Sequence, residues 1–274
     1  MLAFSFDATE GSLSALLLPA ALFWYFVGVF LVVVGTVNRA ETLKTSSTFA
    51  LTIAWACHIA AIVQHGREVG HFPLSNNIEY LLVLGWVVLT LYLLVWLRFK
   101  VIAAGFVLPP LAAFMSVPAL WLPTRHGEAP YPGKQLLFVF HTTVATLGMA
   151  ALCVAFAMSL IFLLQDRAIK SKRTPRLLSR LPSLNSSERI GHVAILWGFP
   201  MLTLGIATGS LWSLDTYGSV WVGGAKQTFP ILAWIVFAIV LYGRLARGFG
   251  GRKSAYLTIA GFALGLLTVL GMSF

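Results

Sequence analysis

Two stretches of this chain gather side chains able to grip a ligand. The first is Trp212–Thr228, Trp-Ser-Leu-Asp-Thr-Tyr-Gly-Ser-Val-Trp-Val-Gly-Gly-Ala-Lys-Gln-Thr. Its aromatic rings offer flat apolar faces, its glycines let backbone approach a bound molecule closely, and Asp215 and Lys226 carry opposite charges. A flat, amphiphilic, anionic ligand would suit it; the same rings would also serve as interfacial anchors of a membrane protein. The second is His65–Tyr80, where Gly66, Gly70 and Pro73 break a helix and Ser75 or Asn76 offers a cap for the next one. His71 stands inside that break, and His141 heads a later apolar run as Phe140-His141-Thr-Thr. A neutral imidazole can ligate a metal, but by residue type alone a lone loop histidine such as His71 is more often a bystander, and an interfacial histidine packed under a loop is the structural alternative for His141.

The elements that must position these residues are membrane spans. Of 274 residues, 58% are hydrophobic and 10% charged, a balance outside that of soluble domains. Apolar runs long enough to cross about 30 Å of hydrocarbon fall at 14–36, 47–65, 78–97, 101–122, 136–164, 190–212, 228–246 and 254–273. The expected architecture is therefore all-α: one polytopic membrane domain over residues 1–274 with about eight transmembrane helices.

The net charge of +10 follows the positive-inside rule, so it points to a lipid bilayer and not to nucleic acid. Fifteen basic residues fall in one set of alternate loops, among them Arg39, Arg98, Arg167, Arg189, Arg244 and Arg252. Four fall in the other set: Arg67, Arg125, Lys134 and Lys226. That asymmetry places both termini, the His71 stretch and Trp212–Thr228 outside. The basic segment 165–189 is placed in the cytoplasm, against anionic lipid heads. The N-terminus lacks the basic region of a cleavable signal peptide, so the first span is expected to stay in the mature protein.

Other residues take quieter readings. Cys57 and Cys153 lie inside spans with no Cys-x-x-Cys pairing, as small core residues do. His58 and His65, seven residues apart, share nearly one helix face. Intramembrane ionisable groups are functional candidates, but a histidine bonded to a neighbouring helix is an equal reading for His58, and His65 is close enough to the outer surface to be solvated. Pro109, Pro110 and Pro118 should kink the fourth span. The segment Pro123–Lys134 reads as a solvated connector whose Arg125 and Lys134 could meet carboxylates.

Several of these motifs resemble one family. Gly70–Asn76, Gly-His-Phe-Pro-Leu-Ser-Asn, reproduces the opening of the Gly-His-Phe-Pro-Leu-Ser-Asn-x-Tyr-Glu-Ser motif of CcsA-type proteins, with Glu79 and Tyr80 in swapped order. Gly198–Thr203 is similar to the run that leads into their tryptophan-rich signature, and Gly218, Trp221, Lys226 and Thr228 match the signature itself. The chain is identified as a member of the cytochrome c assembly superfamily, which includes CcsA, CcmC and HemX. The resemblance implies haem as cofactor, His71 and His141 as axial ligands of its iron, and Trp212, Trp221 and Lys226 as haem-contacting residues. It also implies a multi-pass protein of the bacterial cytoplasmic (inner) membrane, with a CcsB/ResB-type membrane protein as a possible partner.

The departures matter chemically. Gly223-Gly224-Ala225 replaces the family's Trp-Asp-Pro, Gln227 replaces glutamate, and Leu241-Tyr242-Gly-Arg244 replaces Leu-His-x-Arg. The sequence ends before the family's Gly-Leu-His-Ser-Tyr segment, so two of four expected haem histidines are missing. The reading is a haem-binding or haem-handling factor linked to cytochrome c assembly rather than an enzyme. The alternative is a HemX-type regulator of haem biosynthesis that no longer delivers haem. No internal repeat or midplane acid pair favours a transporter.

Overall fold

The computed structural model describes residues 13–121, 135–171, 183–248 and 250–270, and all regular structure among them is helical. The helices are α1 (Leu13–Asn38), α2 (Glu41–Val69), α3 (Asn77–Phe99), α4 (Leu108–Ser116), α5 (Gln135–Lys170), α6 (Leu184–Tyr217), α7 (Ala225–Arg247) and α8 (Gly251–Leu270). Every span expected from hydropathy falls on one of them. Seven described segments are long and apolar enough to cross a membrane. The remaining helix, α8, has 20 residues, about 30 Å at the rise of an α-helix.

The fourth span is broken rather than simply kinked. It runs as a 3₁₀ turn (Ile102–Phe106), then α4, then a second 3₁₀ turn (Val117–Trp121). Pro109 and Pro110 sit in the first turn of α4, where a missing N–H costs no helical bond, and Pro118 lies in the second 3₁₀ turn.

Helices α5 and α6 form the most intimate pair. Gly191, Gly198 and Gly205 recur every seven residues along one face of α6. A methyl group at 198 would lie 3.0 Å from Leu152 Cδ2, and one at 205 would lie 3.4 Å from Ala145 Cβ. In lipid, close van der Waals packing of this kind replaces the hydrophobic drive between helices. The α5 residues Ala150, Cys153, Ala157 and Met158 are fully buried behind that seam. Polar staples join the other helices: the Tyr25 hydroxyl meets His58 Nδ1 at 3.0 Å, and Trp55 Nε1 donates to Thr90 Oγ1 at 2.8 Å. His58 is thus the packed, bonded histidine of the structural reading.

Consecutive helices run in alternating directions. The α2–α3 turn, the start of α5 and the α6–α7 turn therefore share one end of the bundle. At the opposite end, Asp166 accepts Arg252 and Lys170, while Glu188 Oε1 accepts the Gly251 N–H at 2.8 Å and faces Arg244 Nη2 at 3.8 Å. Arg244 Nε also donates to Ser254 Oγ at 2.7 Å, so α5, α6, α7 and α8 are tied together there. Glu188→Ala is expected to cost about 1 kcal/mol, the scale of one partly exposed charged hydrogen bond. Glu188→Gln should recover much of that loss. The thermal midpoint in detergent is the measurement.

Candidate functional site

His141 occupies a slot in the α5–α6 seam. Its Nδ1 lies 2.9 Å from the Gly205 carbonyl and 3.3 Å from Thr208 Oγ1. A carbonyl can only accept, so Nδ1 carries the proton and Nε2 keeps its lone pair. The ring lies on Gly209, where a methyl group would stand 2.7 Å from His141 Cε1. One turn further along α6, Trp212 packs against Phe138 of α5 at 5.9 Å between centroids and edge-on to Tyr217 at 5.6 Å. Trp212 thus packs with Phe138 and Tyr217 one helical turn beyond the Gly209 that underlies His141.

His71 is held in the same tautomeric sense. Its Nδ1 lies 3.1 Å from the Phe72 carbonyl and 3.0 Å from Ser75 Oγ, so that nitrogen is again the donor and Nε2 again the free one. The turn is anchored by Glu79, whose Oε2 accepts the Ser75 N–H at 2.7 Å and whose Oε1 meets His65 Nε2 at 3.3 Å. Asn76 caps α3 by accepting from the N–H groups of Ile78 and Glu79. His65 corrects its expected solvated state: it is 5% exposed and paired with a carboxylate that is 2% exposed. Helix α2 continues four residues past His65, to Val69, and the returning turn folds over it.

The expected loop Trp212–Thr228 is mostly helix. Helix α6 runs to Tyr217 and α7 starts at Ala225, leaving a turn at 218–224 whose Gly218, Gly223 and Gly224 have φ of 72°, 85° and 84°. These left-handed values suit glycine. Gln227 organises the turn from the first turn of α7: its Oε1 accepts the N–H groups of Val222 and Gly223 at 2.8 Å each, and its Nε2 donates to the Val220 carbonyl at 3.2 Å. Trp221 is 51% exposed on this turn, and Lys226 is exposed beside it. Gln227→Ala should free two turn amides, raising their hydrogen exchange at least tenfold for a loss of about 1–2 kcal/mol. Gln227→Glu, which keeps the acceptor oxygens, should change it less.

The structure sets His141 and Trp212 about one helical turn apart along the α5–α6 seam, and it places Trp221 on the neighbouring turn and Lys226 in the first turn of α7. His71 belongs to a different helix group, with α3 packed between α2 and α5. Arg125 and Lys134 lie outside the described residues. Gly205, Thr208 and Gly209 are contributors that motif reading does not single out.

The model of the family described as Cytochrome C assembly protein matches residues 74–274. The chain belongs to that family. Relatives of this cytochrome c assembly protein include proteins named "Cytochrome c biogenesis protein CcsA". That of Chlamydomonas reinhardtii is 33% identical over 214 residues, which is 76% of this chain and 60% of that protein. That of Gloeothece citriformis is 28% identical, over 84% of this chain and 85% of its own length. That of Synechococcus elongatus is 26% identical, over 97% and 94%. A solved structure named "Cytochrome c Heme Lyase CcmF" shares the fold: the TM-score is 0.67 at 16% identity, over 96% of this chain and 47% of that one. The HemX-type alternative finds no support among these relatives.

Proposed function

We propose that this cytochrome c assembly protein binds haem, as cargo, at the end of the bundle that carries the α6–α7 turn, and that His141 supplies an axial nitrogen to the iron. The observation that carries the reading is the Gly205 carbonyl on His141 Nδ1, because a second partner on the far nitrogen is what fixes the tautomer and orientation of a metal-ligating histidine. A neutral imidazole is a standard axial ligand of haem iron. His71, set in the same tautomer but on a separate helix group, offers a further imidazole that need not reach the same iron. Trp221 offers its exposed face for stacking, and Lys226 neutralises a propionate. Tyr242, where the wider family has histidine, is 62% exposed and adds no imidazole. Binding is expected to be weak or five-coordinate.

The charge asymmetry supports an orientation with this end outside a bacterial cytoplasmic membrane and both termini on the same side. The chain acts there as a haem-handling factor and not itself an enzyme, and a CcsB/ResB-type membrane protein is the partner its resemblance suggests. Purified protein titrated with haem should develop a Soret band that shifts in His141→Ala or His71→Ala. No band, or one that neither substitution moves, would reject the site. A cysteine introduced at 219 (Ser219→Cys) should react with an impermeant maleimide from outside intact cells; labelling from the cytoplasmic side alone would overturn the orientation.

A further inference from the structure

Glu79 and His65 form a carboxylate–imidazole pair, each nearly free of solvent contact, at one end of a membrane bundle. Helix capping alone does not call for this. Asn76 already satisfies the first amides of α3, accepting Ile78 N–H at 3.0 Å and Glu79 N–H at 2.9 Å. A capping glutamate at the third position of a helix is ordinarily a surface group and needs no histidine behind it. Burying an ionisable pair is costly unless every polar atom finds a partner, and here the carboxylate uses both oxygens. Oε1 faces His65 on α2, and Oε2 takes the Ser75 N–H. Ser75 in turn touches His71 Nδ1 through its hydroxyl. The chain His65–Glu79–Ser75–His71 thus runs from the end of α2, across the start of α3, to an imidazole whose other nitrogen has no hydrogen-bond partner among the described residues.

We propose that Glu79, braced by His65 and acting through Ser75, is the positioning residue that holds His71 in a single tautomer with Nε2 presented for coordination. The proposal rests on the reading of His71 as a haem ligand, and it adds how that ligand is aimed. Glu79 does not touch the cargo. It fixes the backbone of the turn through the Ser75 N–H, and so holds in place the Phe72 carbonyl and the Ser75 hydroxyl that face His71 Nδ1 and keep the proton there. Ligating histidines are commonly held by an outer carboxylate or carbonyl, and losing such a partner costs about 10–100-fold in affinity.

The test compares wild type with Glu79→Ala, Glu79→Gln, Ser75→Ala and His71→Ala, each labelled with ¹⁵N-histidine in detergent without haem, followed by haem titration. In the haem-free wild type, the signals absent from His71→Ala should report a protonated Nδ1 and an unprotonated Nε2. Glu79→Ala should replace that pattern with averaged tautomers and weaken haem binding by about tenfold, and Ser75→Ala, which removes one of the two groups on Nδ1 but leaves the Phe72 carbonyl, should move both in the same direction by less. Glu79→Gln, whose amide oxygen can still accept from Ser75, should partly restore both. Ser75→Ala keeps the backbone bond to Glu79, so it tests the idea even if Glu79→Ala fails to fold. A His71 tautomer unchanged in Glu79→Ala or, should that variant fail to fold, in Ser75→Ala would overturn the proposal. A tautomer that moves while His71→Ala leaves the haem spectrum untouched would uphold the positioning role and instead reject His71 as a ligand.

Discussion

His141→Ala is expected to remove the axial nitrogen altogether, and it should have the largest effect on haem binding of any single substitution. The loss should be at least as great as the ~10–100-fold that outer partners of a ligand contribute. The Soret band should move toward that of iron bound only by water or by one weaker donor, and added imidazole should restore much of the original spectrum by refilling the slot. The fold should survive, because His141 is only partly buried and its α5 neighbours Thr142 and Thr146 bond within their own helix. An unchanged spectrum and affinity in His141→Ala would remove the α5–α6 seam from the haem site.

Gly209→Ala should reproduce most of that loss without touching a ligand. The added methyl would stand 2.7 Å from His141 Cε1 and 3.1 Å from Nδ1, so the imidazole must leave the face of α6 and give up the Gly205 carbonyl. Affinity should fall by about tenfold or more. Alanine favours a helix over glycine by up to about 1 kcal/mol, so thermal stability should hold or rise while binding is lost. That opposite movement distinguishes a displaced ligand from a damaged fold, and a variant that binds haem like wild type would show that the slot is not needed. The alanine is informative because it changes one contact and adds no charge.

Hydropathy located the spans well, because seven of the described segments are apolar over a length matched to the hydrocarbon. It stopped short at the ends. Helices α5 and α6 run to Lys170 and back to Leu184, where polar residues cap and pair them. Ser183 accepts the Ser186 N–H, and Lys170 pairs with Asp166. Apolarity reports where lipid is, not where a helix ends, and for the same reason Trp212–Tyr217 read as loop. The motifs led directly to His71 and His141, since residue type and local order carry them. Their partners were less legible. Gly205 lies 64 positions from His141, and only the packing of two helices brings its carbonyl to the imidazole and Gly209 beneath the ring. His65 was misplaced because the glycine after it looks like the end of a helix, whereas the burial comes from a turn that folds back over it. Gln227 stands where the family has glutamate, and both offer the carboxyl or amide oxygen that the turn amides need.

The unequal lengths of the helices bear on how the protein sits among lipids of different chain length. At the α-helical rise, α3 is about 35 Å long, whereas α5 and α6, with 36 and 34 residues, are about 54 and 51 Å. A hydrocarbon layer near 30 Å matches the short helix, so the long pair must lean or stand clear of the surface by roughly 20 Å in total. Because α5 and α6 are locked along a glycine seam, they lean or emerge as one rod. Thickening the bilayer would draw more of that rod into lipid and carry the His141 slot, near one tip, closer to the headgroups. Membrane thickness thereby becomes a mechanical input to the depth at which the slot meets water.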